Sequence, residues 1–333
     1  SAIHITGSTT TLTLTPSQIA QLVFLGQHTT DTLIREQVYL SRFIVNRTYA
    51  RWEQDYVPLA GRMLDPPLRM TDRNDQGISG AGLSLGDIRE AIQGYAKTRL
   101  VILGQPGAGK TTTLHRLALD LARERLRDRL NGKLPVRIDL FEFTGDPDPE
   151  RFLIAAWQPL GMPLPYEEAI NGGEVCFLLD GVNQMPIADR TRRIERWSHW
   201  AKDKLPDGNW AIFTCRSADY VPNLRLPEVH VQSVSSDWMR RYIQLRAGDR
   251  AGDIWQAFET RLRGGSDKFE RLAENPFMLS RLVERALQGK ALTDSRAVLI
   301  GDLASDLLDR ELQQERQPES LTADPLGTLT AAQ

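Results

Sequence analysis

The chain has 333 residues, which is enough for two or three domains with sizeable cores. Lysine and arginine number 41 against 43 for aspartate and glutamate, so the formal net charge is -2. This balance excludes a chain-wide basic field that would attract nucleic acid or an anionic membrane. The longest apolar runs have about six residues, whereas a membrane-spanning helix needs ~18, so we expect no membrane partner.

The two cysteines, Cys176 and Cys215, each lie inside a short apolar run. A reduced cysteine in a buried strand behaves as a small hydrophobic residue. We interpret both cysteines in this way, which favours a reducing, cytoplasmic compartment. The histidines are scattered without the spacing of metal ligands, so we expect no zinc site.

The N-terminal part of the chain divides into three segments by composition and spacing, and we assign no function to the first two. Residues 1–15 alternate threonine with apolar residues and predict a strand or an extended linker. Residues 16–64 carry apolar side chains at helical spacing, such as Leu33 and Val38, and predict a helical segment that is an effector or a connector. Residues 65–85 contain clustered proline, aspartate and glycine and predict a linker.

Residues 86–234 predict an α/β domain, because short apolar runs alternate with segments of helical spacing. Alternation of strands and helices favours a parallel sheet that is covered by helices on both faces. The predicted strands, five in number, lie at residues 100–103, 134–143, 175–179, 210–214 and 229–231.

The C-terminal part of the chain predicts a different architecture. After residue 234 the strand pattern stops, and residues 235–318 predict an all-helical lid domain. Residues 319–333 lack periodicity, and we expect them to connect to further domains of a longer protein. The first residue, Ser1, is not an initiator methionine, which fits a processed protein or a piece of a longer one.

The strongest motif in the chain spans residues 104–111, which match the phosphate-binding pattern G-x-x-x-x-G-K-[ST] between a predicted strand and an amphipathic helix. Glycines let backbone N–H groups surround an anion at the helix N-terminus, whose dipole favours phosphate. We expect Lys110 to reach the β- and γ-phosphates of a nucleotide and the Thr111 hydroxyl to bind Mg²⁺. The predicted phosphate site consists of Gly104, Gln105, Pro106, Gly107, Ala108, Gly109, Lys110, Thr111 and Thr112.

A second element of nucleotide chemistry is the apolar strand at residues 175–180, which ends in Asp180. An aspartate at the end of a strand usually forms only a turn. Given the loop upstream, we assign to Asp180 the carboxylate on the Mg²⁺ side of the site. Thr111 and Asp180 thus form the predicted metal site, and ATP or ADP with Mg²⁺ is the predicted cofactor.

Several motifs, in order, resemble those of the NACHT branch of the STAND signal-transduction ATPases, which are P-loop NTPases related to AAA+ proteins. Besides the loop at 104–111 they are the run 178–184, the strand 212–216 and the stretch Asn275-Pro276-Phe277-Met278-Leu279. The resemblance spans about residues 86–315 and implies a P-loop domain with a helical lobe that closes over ATP. It also implies that Arg216 senses the γ-phosphate and that Pro276 packs on adenine.

Proteins of this family are nucleotide-dependent switches in bacterial defence and animal innate immunity. The resemblance implies that ADP holds a closed monomer, and that ATP and an activating ligand release it to form a self-oligomer. It further implies an N-terminal effector and C-terminal ligand-sensing domains outside this chain. The sequence does not identify the effector, the trigger or the number of subunits in the oligomer.

Two residues depart from the family pattern after Asp180. Asn183 stands where many members have aspartate, and Gln184 stands where the family has the glutamate that polarises the attacking water. A glutamine oxygen is far less basic than a carboxylate, and loss of such a group costs about 10²–10⁴ in rate, so we expect ATP binding with weak or abolished hydrolysis. A natural variant and a substitution made to trap ATP both explain Gln184, and we favour the second.

Two other function classes stay open at this point. A nucleic-acid motor or loader ATPase shares the first two motifs, but it needs a basic channel that the balanced charge disfavours. A non-hydrolysing ATP-dependent scaffold is compatible with Gln184 alone. The charge run at residues 123–129 alternates in sign, and we interpret it as a solvated helix face rather than a nucleic-acid contact.

Overall fold

A computed structural model describes residues 3–6, 11–14, 30–46, 49, 56–64, 83–93, 98–144 and 148–316. The predicted helix within residues 16–29, most of the predicted linker (65–82) and the predicted connection at 319–333 lie outside the described residues. The chain divides into two compact units, Ser1–Trp238 and Met239–Gln333.

The first unit contains two β-sheets. Strands β1 (Ile3–Thr6) and β2 (Thr11–Leu14) form an antiparallel pair. The second sheet has seven strands in the spatial order β4-β3-β9-β5-β8-β7-β6. These strands are β3 (Gly61–Leu64), β4 (Leu83–Leu85), β5 (Arg99–Gly104), β6 (Leu134–Asp139), β7 (Val175–Asp180), β8 (Trp210–Arg216) and β9 (Glu228–Val231).

Helices connect the parallel strands, and side chains cap some of the helices in the chain. Helix α4, for example, starts with Pro149 in its first turn, and the preceding Asp148 side chain accepts a hydrogen bond from the Glu150 N–H. The helices of the first unit are α1 (Thr30–Val45), α2 (Glu90–Gln93), α3 (Lys110–Arg127), α4 (Pro149–Trp157), α5 (Tyr166–Asn171) and α6 (Arg190–His199).

The predicted parallel sheet of five strands is confirmed: β9, β5, β8, β7 and β6 are parallel neighbours in that order. Two antiparallel strands extend it beyond β9. One of them, β3, lies in the segment predicted to be helical, and β4 lies in the predicted linker, so both predictions are wrong at these residues. Strand β3 follows instead the alternation of a strand with one buried face, with Gly61 and Met63 buried and Arg62 exposed.

The core of the first unit lies on a sheet whose central strands are apolar on both faces. Every residue of β7 is buried, as expected for a parallel strand between two helical layers. Trp197 and Trp200 are buried against Phe177 and Phe213, with edge-to-face ring contacts of 5.2–5.9 Å. Cys176 and Cys215 are both buried and free, as predicted.

Helix α1 is fixed to helix α3 by a buried ion cluster. The Glu36 carboxylate, 5% exposed, accepts hydrogen bonds from Arg125 and from Arg129, with shortest distances of 2.9 and 2.8 Å. Arg125 is only 1% exposed and also binds Glu174. The interpretation of residues 123–129 as a wholly solvated face is therefore wrong for two arginines, because their carboxylate partner lies about 90 residues away in sequence.

The second unit is built from helices in the part of it that the structure describes. Asn275 caps one of them, since its side chain accepts from the Met278 N–H at 3.2 Å, and Pro276 follows in the first turn. Helix α7 begins in the first unit, and the set is α7 (Ser236–Ala247), α8 (Ala251–Arg263), α9 (Asp267–Ala273), α10 (Pro276–Leu287) and α11 (Arg296–Arg316). No helix in the described ranges is long and apolar enough to cross a membrane.

Candidate functional site

The loop between strand β5 and helix α3 has the conformation that its sequence predicts. Gly107 and Gly109 adopt φ values of 78° and 91°, in the left-handed region that a residue with a Cβ rarely enters. Gly109 precedes the first residue of the helix and has no side chain to occupy the first N–H groups. These N–H groups and the helix dipole therefore face an incoming anion.

The Lys110 side chain reaches back across this loop. Its ammonium donates to the carbonyl oxygens of Gly104 at 2.8 Å and Gln105 at 3.0 Å. Burial lowers the pKa of Lys110, while the negative charge of Asp180 opposes this shift and the charge of Arg216 adds to it. The ammonium thus lies above the loop, where phosphate oxygens would replace carbonyls as its acceptors.

Asp180 lies between two hydroxyl groups at the carboxyl end of strand β7. The Thr111 hydroxyl donates to its Oδ2 at 2.8 Å, and the Thr214 hydroxyl of strand β8 donates to its Oδ1. The Thr214 oxygen also accepts from the Gly181 N–H at 2.9 Å. The structure thus brings together Thr111 and Asp180, as predicted, and adds Thr214, which sequence analysis missed.

The paired oxygens of Thr111 and Asp180 suit Mg²⁺. This cation prefers oxygen ligands, keeps several waters and is usually held by one or two carboxylates plus the substrate phosphates. The two oxygens are 2.8 Å apart, so both groups are directed to one point. Thr111 and Asp180 would hold the ion, which would neutralise phosphate charge.

The residues that follow Asp180 form a tight turn. Gly181 has φ 83°, and a Cβ at this position would come within 2.8 Å of the Gln184 amide carbon and oxygen. The exposed side chain of Gln184 therefore lies over Gly181, and a larger residue at 181 would displace it. Asn183 accepts a hydrogen bond from the Arg216 N–H at 3.2 Å and so ties the ends of strands β7 and β8 together.

Arg216 ends strand β8 with an exposed side chain. Its predicted contact with the γ-phosphate stays a prediction. Pro276 opens a helix of the second unit, and its predicted contact with adenine also stays a prediction. Burial raises the pKa of the neighbouring Cys215 thiol to about 11, so this cysteine is not an activated nucleophile.

Sequence analysis also missed an ion pair beside Asp180. Strand β6 pairs Asp139 with Asp180 in register, and Arg137 contacts Asp139 at 2.6 Å. Neither residue belongs to a motif. The available signal was an arginine and an aspartate at alternate positions of a strand that is otherwise apolar.

The segment before the parallel sheet contacts the phosphate loop as well. A Cβ on Gly109 would lie 2.7 Å from the Leu59 Cδ1 atom, so the buried Leu59 packs directly on this glycine. Leu59 is held there by a hydrogen bond from the Ile88 N–H to its carbonyl oxygen at 2.8 Å. Residues 56–64 are therefore part of the site, although their sequence showed no binding motif.

Residues 82–86 have the spacing of a hydrolase nucleophile, Gly-x-Ser-x-Gly. Ser84 lies within strand β4 opposite Arg62, and Arg62 lies opposite His230 in the next strand. Two strand spacings of about 4.8 Å each separate Ser84 from this histidine. The geometry is therefore not that of a nucleophile on a strand-to-helix turn.

Comparison with known proteins gives one family match for this part of the chain. Residues 98–246 match the family model described as the NACHT domain. No curated protein matches the chain.

Among solved structures, the chain is similar to the RuvB Holliday junction branch migration motor of Thermotoga maritima, with 12% identity and a TM-score of 0.33. That match covers 65% of this chain and 64% of the RuvB chain. The ORC1 protein of Aeropyrum pernix in complex with DNA matches with 15% identity and a TM-score of 0.38, over 69% of this chain and 65% of the ORC1 chain. The chain thus spans less than two thirds of the length of these structures.

Proposed function

We propose, from the match of residues 98–246 to the NACHT domain model, that the chain is the ATP- and ADP-binding module of a STAND signalling NTPase. In this proposal the bound nucleotide decides whether the module self-associates in an immune or antiphage response. Hydrolysis is slow because Gln184 replaces a catalytic glutamate.

The observation that carries the proposal is the convergence of three side chains from two elements. Lys110 and Thr111 are the first two residues of helix α3, and Lys110 lies over the phosphate loop. Asp180 ends strand β7, with its carboxylate 2.8 Å from the Thr111 hydroxyl. A cation, a hydroxyl and a carboxylate around a helix N-terminus match the needs of a nucleoside triphosphate with Mg²⁺.

Each of these groups gains on nucleotide binding. The Lys110 ammonium bonds to neutral carbonyl oxygens, and hydrogen bonds to charged phosphate oxygens are roughly twice as strong. Leu59 packs on Gly109 and covers the apolar side of the loop, so water is excluded from that side. The site therefore favours binding before any chemistry is considered.

Hydrolysis needs a base or a group that positions water, and Gln184 is a poor one. Its amide oxygen has no basicity comparable with that of a carboxylate. The neighbouring Asn183 side-chain oxygen is engaged by the Arg216 N–H, so it is not directed at a water either. We therefore assign to this chain tight binding and slow turnover.

The signalling part of the proposal concerns the two units. Arg216 of the first unit and Pro276 of the second are the residues through which nucleotide would bias an open against a closed arrangement. ADP favours a closed monomer, and ATP with an activating ligand favours a self-oligomer that gathers effector domains. The ligand-sensing and effector domains, and a cytoplasmic setting, belong to this proposal.

Light scattering coupled to size-exclusion chromatography tests the switch. The chain is loaded with ATP–Mg²⁺ or with ADP–Mg²⁺, and slow hydrolysis keeps the first state intact during the run. We expect a larger mass with ATP than with ADP, and the Asp180→Asn variant, which weakens the metal side of the site, should show one mass in both. Equal masses for the unmodified chain with two nucleotides that both bind would contradict the switch.

A further inference from the structure

The charge around Asp180 depends on neighbours outside the phosphate loop. Asp139 lies opposite Asp180 on the adjacent strand, and Arg137 lies two residues before Asp139 on the same face. His115 of helix α3 is half-buried, and this burial with the nearby Arg137 charge lowers its pKa to about 4, so its ring is neutral at physiological pH. Lys110 is a further cation near Asp180, and the Arg216 charge acts on Lys110 in turn.

Arg137 lies between the two carboxylates but binds only one of them. Its Nη2 atom is 2.6 Å from the Asp139 Oδ1 atom and 3.9 Å from the Asp180 Oδ2 atom. The first distance is that of a charge-assisted hydrogen bond, and the second is too long for any hydrogen bond. Asp139 therefore holds the guanidinium.

The Asp180 oxygen nearest to Arg137 is also the functional one. Oδ2 accepts the Thr111 hydroxyl and is the atom assigned to Mg²⁺. A guanidinium about one ångström closer would form a hydrogen bond to Oδ2 and compete with the cation for it. The Arg137 guanidinium and Mg²⁺ are both positive, so they would also repel each other strongly if both contacted the same carboxylate oxygen.

We infer that Asp139 is a positioning residue for the Mg²⁺ site: it holds Arg137 away from Asp180 and thereby keeps the Asp180 Oδ2 atom available to the cation. This inference rests on the proposed nucleotide function and adds to it a residue pair from the edge strand. The role is electrostatic, and Asp139 does not itself contact the ion.

The environment of Asp139 supports this assignment. Burial raises its pKa, the Arg137 charge lowers it, and the Asp180 charge raises it again. The Arg137 guanidinium lies near two carboxylates on neighbouring strands and binds the one on its own strand. Arg137 and Asp139 thus neutralise each other, and removing one of them leaves the charge of the other to disturb Asp180.

The test measures how the affinity for ATP rises with the Mg²⁺ concentration. Its readout is the Mg²⁺ concentration at which half of that rise is reached. It is measured by titration of ATP at a series of Mg²⁺ concentrations, for the parent chain, Asp139→Asn and the double variant Arg137→Met/Asp139→Asn. Asp203→Asn is the matched control, because its carboxylate pairs with a histidine in an exposed position, at 2.7 Å.

We expect Asp139→Asn to need about tenfold more Mg²⁺, which corresponds to about 1.4 kcal/mol. ATP affinity in EDTA should not change, which also shows that the variant is folded. The double variant should return to within about threefold of the parent, because the competing cation is gone. The control should match the parent.

Two results would overturn the inference: an unchanged Mg²⁺ requirement in Asp139→Asn, or a double variant as impaired as Asp139→Asn. Failure of the parent chain to bind ATP at any Mg²⁺ concentration is a different result. It would overturn the proposed nucleotide function together with the inference that depends on it.

Discussion

Helix α3 carries a cluster of charged residues at each end, and the two clusters are built differently. At its C-terminal end, both oxygens of Glu36 are engaged by guanidinium groups of Arg125 and Arg129, and the carboxylate is almost fully buried. At its N-terminal end, Lys110 donates to two backbone carbonyls within the described part of the chain, and Arg137 stays 3.9 Å from Asp180.

This difference separates a structural cluster from a binding cluster. A buried ion pair is tolerated when its hydrogen bonds are complete, and it becomes costly when one partner is removed. The N-terminal cluster instead keeps the Lys110 ammonium on neutral carbonyl oxygens and the Asp180 carboxylate between hydroxyl groups. It is therefore the end of the helix that gains most from a charged ligand.

The largest effect should come from breaking the structural cluster. Arg125→Ala leaves Glu36 buried with one guanidinium fewer and should destabilise the fold by about 3–5 kcal/mol. Arg35→Ala removes an ion pair in which both side chains are 66% exposed, and it should cost at most ~0.5 kcal/mol. Denaturant unfolding measures both, and equal losses would mean that burial is not what makes the cluster important.

A substitution in the binding cluster should change the rate of ATP hydrolysis rather than the stability of the fold. Gln184→Glu should raise ATP hydrolysis by about 10²-fold, because a carboxylate can position and polarise water. Since the side chain is exposed and nearly the same shape, ATP affinity should change little. Single-turnover phosphate release measures the rate, and no increase would show that water is activated by another residue or that parts outside this chain complete the site.

A smaller effect is expected at the end of strand β8. Arg216→Ala should weaken ATP binding by about 10- to 150-fold, the equivalent of ~1.5–3 kcal/mol for a charge-assisted bond. ADP binding should change much less, since ADP has no γ-phosphate. Arg151→Ala, an exposed arginine on helix α4, serves as control in the calorimetric titration. Equal losses for both nucleotides would make Arg216 a general phosphate contact or a structural residue.

The smallest effect is a pH dependence in the structural cluster. Burial alone would raise the pKa of Glu36, but the hydrogen bonds and charges of Arg125 and Arg129 lower it overall. A depressed folded-state pKa stabilises the fold above the unfolded value of about 4.3, and this contribution is lost as the pH falls below it. The Tm difference between the parent and Glu36→Gln should therefore shrink between about pH 5 and pH 3 and stay constant near pH 7.

The two clusters also differ in how far the sequence predicts them. Lys110 and Thr111 belong to one contiguous motif, and Asp180 ends a strand whose apolar run is visible by itself. Arg125 looked solvated because the burial of an alternating charge run depends on Glu36, a partner that is distant in sequence. Thr214 and Asp139 were missed for a similar reason, since their roles follow from strand register.

The strands, too, could be predicted only where a local sequence pattern encodes them. Strands β5, β7 and β8 were predicted because buried parallel strands form continuous apolar runs. Strands β3 and β4 have four and three residues, too few to show a period. Their position beside β9 follows from pairing, which a local pattern does not encode.

The central claim is that the N-terminal end of helix α3 binds the phosphates of a nucleotide through Lys110. Calorimetric titration of ATP–Mg²⁺ into the parent chain and into Lys110→Ala tests it most directly. We predict saturable binding to the parent chain with a matching rise in Tm, as mass action requires, and neither signal in Lys110→Ala at the same concentrations. Unchanged ATP affinity in Lys110→Ala would contradict the assignment of this loop as the nucleotide site.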